Sequence, residues 1–241
     1  MNLHFIVVTY NGQKWIKQCL DFSDSMLNDV DVSIGFEHRT ESNYLRFPLW
    51  LIYNTSPTSD DPGKRFVEAM NRKWSEDRPI FCSQVASHDH RGNGAGNREL
   101  CFHTISKIAA VLNCGKWGNN SDLLKKRYVD VVDYLLRDCR FNICLENSLG
   151  NGYVTEKIFR PLLAGSIPIY WGVPGAEPNV LHQDSYLWFD PENPDELMKR
   201  VVDLNNSDAS RSKFINASKI QPQARDWINH KHEELKKAFR D

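Results

Sequence analysis

Residues 141–172 constrain the fold of this chain more than any other stretch. Phe141-Asn142-Ile143-Cys144-Leu145 is a short, mostly apolar run with strand character, and it opens into the polar, glycine-bearing loop Asn147-Ser148-Leu149-Gly150-Asn151-Gly152-Tyr153-Val154-Thr155. A helical segment follows from about Thr155 to near Gly165, and 166–170 reads as a further strand. Connections this short bring a strand, a helix and a second strand back into one sheet only if the strands run parallel.

The upstream sequence repeats the alternation. A brief apolar strand is expected at 79–83, then the glycine-rich Arg91-Gly92-Asn93-Gly94-Ala95-Gly96, then a helix over 97–112 with Leu100, Thr104, Ile108 and Val111 on one face. A second amphipathic helix is predicted over 121–138, capped by Ser121, with Leu124, Tyr128, Val131 and Leu135 buried. The fold class is therefore α/β, a parallel sheet covered by helices.

The amino-terminal part reads less clearly. Residues 3–8 form a compact strand-like run ending at Thr9-Tyr10-Asn11-Gly12, a short helix over 13–20 can follow, and Val30, Val32 and Ile34 alternate with polar residues. Pro48 interrupts the aromatic and aliphatic run at 45–53, leaving its type open. The Ser-, Thr-, Asp- and Pro-rich stretch at 54–63 is the candidate linker.

Lysine plus arginine number 30 against 31 aspartates plus glutamates, so nothing in the bulk charge calls for nucleic acid or an anionic membrane, and any anion specificity must be local. The run at 1–8 is too short for a signal-peptide apolar region, and no stretch approaches the roughly 20 apolar residues of a membrane span. The six cysteines show no C-x-x-C pair and read as reduced, mostly buried thiols. These features together set the expectation of a cytoplasmic protein with no integral membrane segment.

The loop at 147–155 leaves a strand and enters a helix, the position where α/β proteins bind phosphates. Gly150 and Gly152 permit close backbone approach, and the helix start supplies amide donors and the positive end of the dipole. Glu156 suits that first turn. Lys157 is electrostatically misplaced there unless an anion compensates it, which marks it as a phosphate partner. A glycine-rich turn followed by Glu-Lys is also common as plain structure, and Pro161 is expected to kink or interrupt the helix.

Glu146-Asn147-Ser148, Gly152-Tyr153-Val154-Thr155-Glu156-Lys157-Ile158 and Leu163-Ala164-Gly165-Ser166-Ile167-Pro168-Ile169-Tyr170-Trp171-Gly172 closely resemble the signature of the α-1,3-fucosyltransferases, glycosyltransferase family 10, in their bacterial form. A weaker similarity runs back through Asn97-Arg98-Glu99, Gly115-Lys116-Trp117-Gly118-Asn119-Asn120, Tyr44-Leu45-Arg46-Phe47-Pro48-Leu49 and Ile34-Gly35-Phe36-Glu37. The resemblance implies a GT-B type fold of two Rossmann-like lobes, the amino-terminal one reduced: residues 1–62 on the acceptor side, and 63–241 binding GDP-fucose and ending in a terminal helix. It implies an inverting transferase that moves fucose from GDP-fucose to a hydroxyl of an N-acetylglucosamine-containing or other glycan, with no required metal or cofactor. Carried over by motif, Arg98 and Lys157 would contact the diphosphate, and Asn147, Tyr153 and Glu156 would hold the ribose, phosphate or fucose. Arg98, Glu156 and Lys157 would then be catalytic, with a carboxylate deprotonating the acceptor.

For that base the family places a glutamate upstream of the segment matched by Ile34-Gly35-Phe36, where this chain has none. Asp21 lies near the offset, with Asp24, Glu37 and Glu41 as alternatives. The opening Val7-Val8-Thr9-Tyr10-Asn11-Gly12-Gln13-Lys14-Trp15-Ile16 with Cys19-Leu20-Asp21 instead looks like the start of a family-two GT-A glycosyltransferase. Two other readings stay open: a transferase of the same fold using another nucleotide sugar, and an inactive GDP-sugar-binding remnant. His88-Asp89-His90 lacks a third metal ligand at a recognisable spacing, and Asp29-Val30-Asp31 sits too early for a metal-binding D-x-D. Trp171 and Trp188 read as core aromatics before sugar platforms, and the tail at 227–239 as a solvated terminal helix.

Overall fold

A computed structural model describes residues 32–89 and 94–238. Asp21, Asp24, the strand expected at 3–8, the family-two-like opening, Asp29-Val30-Asp31 and His90 lie outside the described residues.

Among the described residues two short parallel strands come first, β1 (Ser33–Gly35) and β2 (Tyr44–Arg46), with Ser33 opposite Tyr44. The ambiguous run at 45–53 divides at Pro48. Its extended backbone ends the strand segment, and α1 (Leu49–Asn54) begins one residue later. After the expected loop, Asp61 caps α2 (Pro62–Met70) by accepting from the Lys64 amide at 2.8 Å.

The main sheet has five parallel strands: β3 (Ile80–Gln84), β4 (Val111–Asn113), β5 (Cys139–Ile143), β6 (Ile167–Tyr170) and β7 (Leu187–Trp188), in spatial order β4-β3-β5-β6-β7. Between β3 and β4 lies α3 (Asn97–Ser106), and between β4 and β5 lie α4 (Leu123–Tyr128) and α5 (Val132–Asp138). The crossover from β5 to β6 is α6 (Glu156–Ala164); α7 (Pro194–Asn206), α8 (Asp208–Asn216) and α9 (Ala224–Ala238) complete the chain.

Two helical expectations are corrected. The helix predicted over 97–112 stops at Ser106, because Val111, Leu112 and Asn113 pair with Cys82, Ser83 and Gln84 as an edge strand. Pairing and burial there outweigh local propensity. The face that packs is Cys101, Thr104 and Ile105, whereas Leu100 is 39% exposed. The helix predicted over 121–138 breaks in two at Val129 and Asp130, both at positive φ (50° and 61°). That break lets Leu124 and Tyr128 on one side and Leu135 and Leu136 on the other reach the core, while Val131 stays 38% exposed. The cap position falls on Asp122 rather than Ser121, although the Ser121 hydroxyl accepts from the Leu123 amide at 3.2 Å. Pro161 falls inside α6 without interrupting it; Ile158, Phe159 and Leu162 around it are buried and hold the segment in place.

Each face of the sheet carries its own core. One gathers Cys101 and Ile105 of α3, Phe141 and Ile143 of β5, and Leu197 and Val201 of α7. The other gathers Ile158, Phe159 and Leu162 of α6 with Trp50 and Leu51 of α1, Phe66 and Met70 of α2, and Ile228 of α9. Trp50 stacks on Phe159 at 4.4 Å, so residues on both sides of position 62 share this core. The terminal helix is less solvated than its charge suggests: it packs along α2, and Ala224, Ile228 and His232 are buried.

The strand order has a direct consequence for function. The chain leaves β3 toward β4 on one side and leaves β5 toward β6 on the other, so the order reverses between β3 and β5. At such a reversal the two outgoing loops part and open a crevice at the carboxyl ends of the strands. The segment after β3 that includes Gly94 and Gly96, and the glycine loop after β5, belong to those two loops.

Candidate active site

The loop after β5 is built around a buried carboxylate. The ladder continues past β5, the amides of Cys144 and Glu146 donating to Ile169 and Trp171 carbonyls at 2.9 and 2.8 Å. This carries Glu146 to the crevice with its side chain fully buried. Its Oε1 accepts from the Thr155 amide (2.8 Å) and Thr155 hydroxyl (2.9 Å), and its Oε2 takes the Lys157 ammonium at 3.0 Å. Thr155 also caps α6 as expected, its Oγ1 accepting from the Lys157 amide at 3.4 Å. The anion that Lys157 requires at a helix amino terminus is therefore present inside the protein, while its own side chain remains 26% exposed.

Arg98 approaches from α3 and is buried. Its guanidinium donates to the His88 carbonyl (2.7 Å), the Leu145 carbonyl (3.1 Å) and the Asn147 side-chain oxygen. It therefore ties the loop after β3 to the loop after β5, bringing Arg98 and Asn147 together. Asp89 holds the start of α3, its two oxygens accepting from the amides of Arg98 (3.0 Å) and Glu99 (2.8 Å). No cluster of three or more metal-binding side chains occurs among the described residues.

The glycines act by close approach. A β-carbon at Gly152, where φ is +73°, would lie 2.5 Å from the Phe36 carbonyl oxygen. One at Gly94 would lie 2.3 Å from the Trp171 ring, which packs as a core aromatic beside Asn147. The segment after β1 thus lies against the loop after β5. The Asn151 side-chain amide donates to the His38 carbonyl at 2.8 Å, and the buried Tyr153 ring meets Phe36 edge-on at 5.6 Å.

Of the expected site residues, Arg98 bonds to Asn147, Lys157 bonds to the neighbouring Glu146, and Tyr153 is buried in the same loop. Glu156, half-buried, lines a groove of about 520 Å³ with Tyr53, Arg72, Trp74, Arg137 and Arg160. Among the base candidates, the Glu37 carboxylate pairs with Arg39 at 2.9 Å, and its Cα lies 3.3 Å from where a Gly152 β-carbon would sit. Glu41 is more exposed and 3.9 Å from Arg39. Sequence reasoning did not assign Glu146 a role. A carboxylate at a strand end, nine residues before a threonine cap, is its signal, but only the fold reveals its burial. The five described cysteines form no disulfide and are buried, and burial pushes the thiols of Cys82, Cys101, Cys139 and Cys144 upward.

A parallel α/β sheet with two loops parting at its strand-order reversal, and with Arg98 and Lys157 in the first turns of the helices that follow those loops, belongs to the class of fold that holds ligands at the carboxyl edge of the sheet. Comparison with known proteins is more specific. The profile of glycosyltransferase family 10 (fucosyltransferase), carboxy-terminal part, matches residues 76–236, and the chain belongs to that family. The α-(1,3)-fucosyltransferase FucT of Helicobacter pylori is 26% identical over 222 residues, covering 83% of this chain and 46% of that protein. The 4-galactosyl-N-acetylglucosaminide 3-α-L-fucosyltransferase 9 of Bos taurus is 40% identical over 73 residues, 28% of this chain and 20% of its own length. The chain thus spans less than half of these relatives. A crystal structure of an α1,3-fucosyltransferase with GDP-fucose shares the fold, with TM-score 0.61 and 24% identity over 86% of this chain and 70% of that one.

Proposed function

We propose that this chain transfers fucose from GDP-fucose to a hydroxyl of an N-acetylglucosamine-containing glycan, with inversion at the anomeric carbon. The observation that carries this reading is that two adjacent residues of the loop after β5, Glu146 and Asn147, bond to Lys157 and Arg98 respectively, in a member of family 10. In the reaction the acceptor oxygen bonds to the anomeric carbon as the bond from that carbon to the phosphate oxygen breaks. Negative charge then grows on the departing diphosphate. Lys157 and the first-turn amides of α6 are the groups that stabilise it, with Asn147 and Tyr153 lining the approach. No metal is required in this scheme.

The acceptor proton passes to a carboxylate. Of the candidates in the described residues Glu37 lies nearest the glycine loop and is the base we favour over Glu41; Asp21, expected at that role from the sequence, remains its rival. The GT-B division belongs to the same proposal as a functional one, with residues 1–62 serving the acceptor and 63–241 the donor, even though the two parts share a core. The cytoplasmic setting belongs to it as well.

Calorimetric titration with GDP-fucose, GDP-mannose and UDP-galactose tests the donor. Preferential GDP-fucose binding is expected, and equal or absent binding would sink the reading. Turnover with an N-acetyllactosamine acceptor then separates an enzyme from a GDP-sugar-binding remnant, and Glu37→Gln should lower kcat at least a hundredfold without weakening GDP binding.

A further inference from the structure

We propose that Glu146 is a built-in counter-ion that weakens the hold of Lys157 on the donor diphosphate, so that the spent nucleotide can leave. The proposal rests on the reading of Lys157 as a phosphate partner. The carboxylate has no solvent exposure, and both its oxygens are engaged: with the Thr155 amide and hydroxyl on one side and the Lys157 ammonium at 3.0 Å on the other. The Tyr170 hydroxyl stands 3.5 Å from Oε1, and Gly172 packs closely enough that a β-carbon there would come within 2.9 Å of Glu146 Cγ. Glu146 therefore cannot swing aside when an anion arrives.

An ammonium has three protons, and Glu146 takes one. A phosphate oxygen that accepts another is held within two hydrogen-bond lengths, about 6 Å, of a fixed and desolvated carboxylate. Attraction to Lys157 and repulsion from Glu146 then act on the same ligand over similar distances. A purely structural partner for Thr155 would not have this effect, since the hydroxyl and amide of Thr155 are satisfied by any neutral acceptor of the same shape. The carboxylate sets how strongly the lysine grips, while the hydrogen bonds set where the lysine stands. Glu146 is thus a positioning residue acting through Lys157, and it touches no substrate.

Glu146→Gln keeps the shape and an acceptor for the Thr155 amide but removes the charge. GDP affinity measured by calorimetry is expected to rise about tenfold while the melting temperature falls and kcat declines through slower GDP release. A loss of structure alone can only weaken GDP binding, so unchanged or weaker binding by a folded Glu146→Gln overturns the proposal. Should that variant not fold, the double variant Glu146→Gln/Lys157→Met carries the test, since it leaves no uncompensated buried charge. Its GDP affinity should stay within about tenfold of the parent, because the deleted repulsion offsets the deleted attraction; a loss beyond about a hundredfold overturns the proposal. If the parent protein itself binds no GDP, the nucleotide-sugar reading fails and not the counter-ion role.

Discussion

Lys157 carries two obligations. It is the partner of a carboxylate with no access to water, and it is also a half-buried cation at the start of α6. Removing it therefore does more than delete a ligand contact. Lys157→Ala should cost about 3 kcal/mol of folding stability, because it strands Glu146 in the interior, and chemical denaturation should show the lowered midpoint. Arg98 is different in kind, since its planar fork spans two loops. Arg98→Lys keeps the charge but cannot serve the His88 and Leu145 carbonyls and Asn147 together, and GDP affinity is expected to fall about tenfold by calorimetry. Arg98, Asn147 and Lys157 were singled out from the sequence by motif spacing in the linear chain. Glu146 and Asp89 were not, since their roles are defined by which amides and ammonium groups the fold brings to them.

The elements are joined at their ends as much as along their faces. Arg78, fully buried, donates to the carbonyls of Leu136 (3.1 Å), Arg137 (2.7 Å) and Cys139 (3.2 Å) at the end of α5, and to that of Ala164 (3.0 Å) at the end of α6. It satisfies carbonyls that a helix end leaves without intrahelical donors. Burial lowers the pKa of its guanidinium, a cost the four acceptors offset. Arg78→Met is expected to destabilise the protein by about 3 kcal/mol and to speed amide exchange in α5 and α6 ahead of the sheet. Element type was readable at 141–172, where loop, cap, helix and strand follow in order, and it failed at 107–113 and 129–130. A strand of three residues has too little periodicity to show, and a left-handed break at Val129 has no sequence mark, because valine disfavours positive φ.

On the scale of the whole molecule, α9 closes the core from the far end of the chain. Asp61 at the start of α2 holds Arg225 at 2.6 Å and the Asn229 side chain at 2.9 Å. Those bonds, with Arg225 foremost, lower its pKa to about 2, so this clasp holds above the ordinary aspartate range and loosens only as pH falls toward 2. His232 responds at milder pH. Its Nε2 meets the Thr55 hydroxyl at 2.7 Å, and that hydroxyl already donates to the Leu51 carbonyl, so Nε2 carries the proton and buried Nδ1 has no partner. Burial holds its pKa below the usual histidine value, so the unfolded chain binds the proton first. The stability this gives is complete above about pH 6.5 and is lost as pH falls below it. The melting temperature should drop between pH 7.5 and 5.5, and His232→Gln should flatten that dependence.

By itself the sequence determined the parallel α/β class, the glycine loop between β5 and α6 and the family, because each is written in short-range order: apolar runs of strand length, glycines at a turn, and a long motif with fixed spacing. Only the tertiary structure decided that the strand order reverses between β3 and β5, that residues before and after position 62 share one core, and that the anion facing Lys157 belongs to the protein. These depend on contacts between residues far apart in the chain and on burial, which fixes the strength of a charge pair and leaves no local trace in the order of residues.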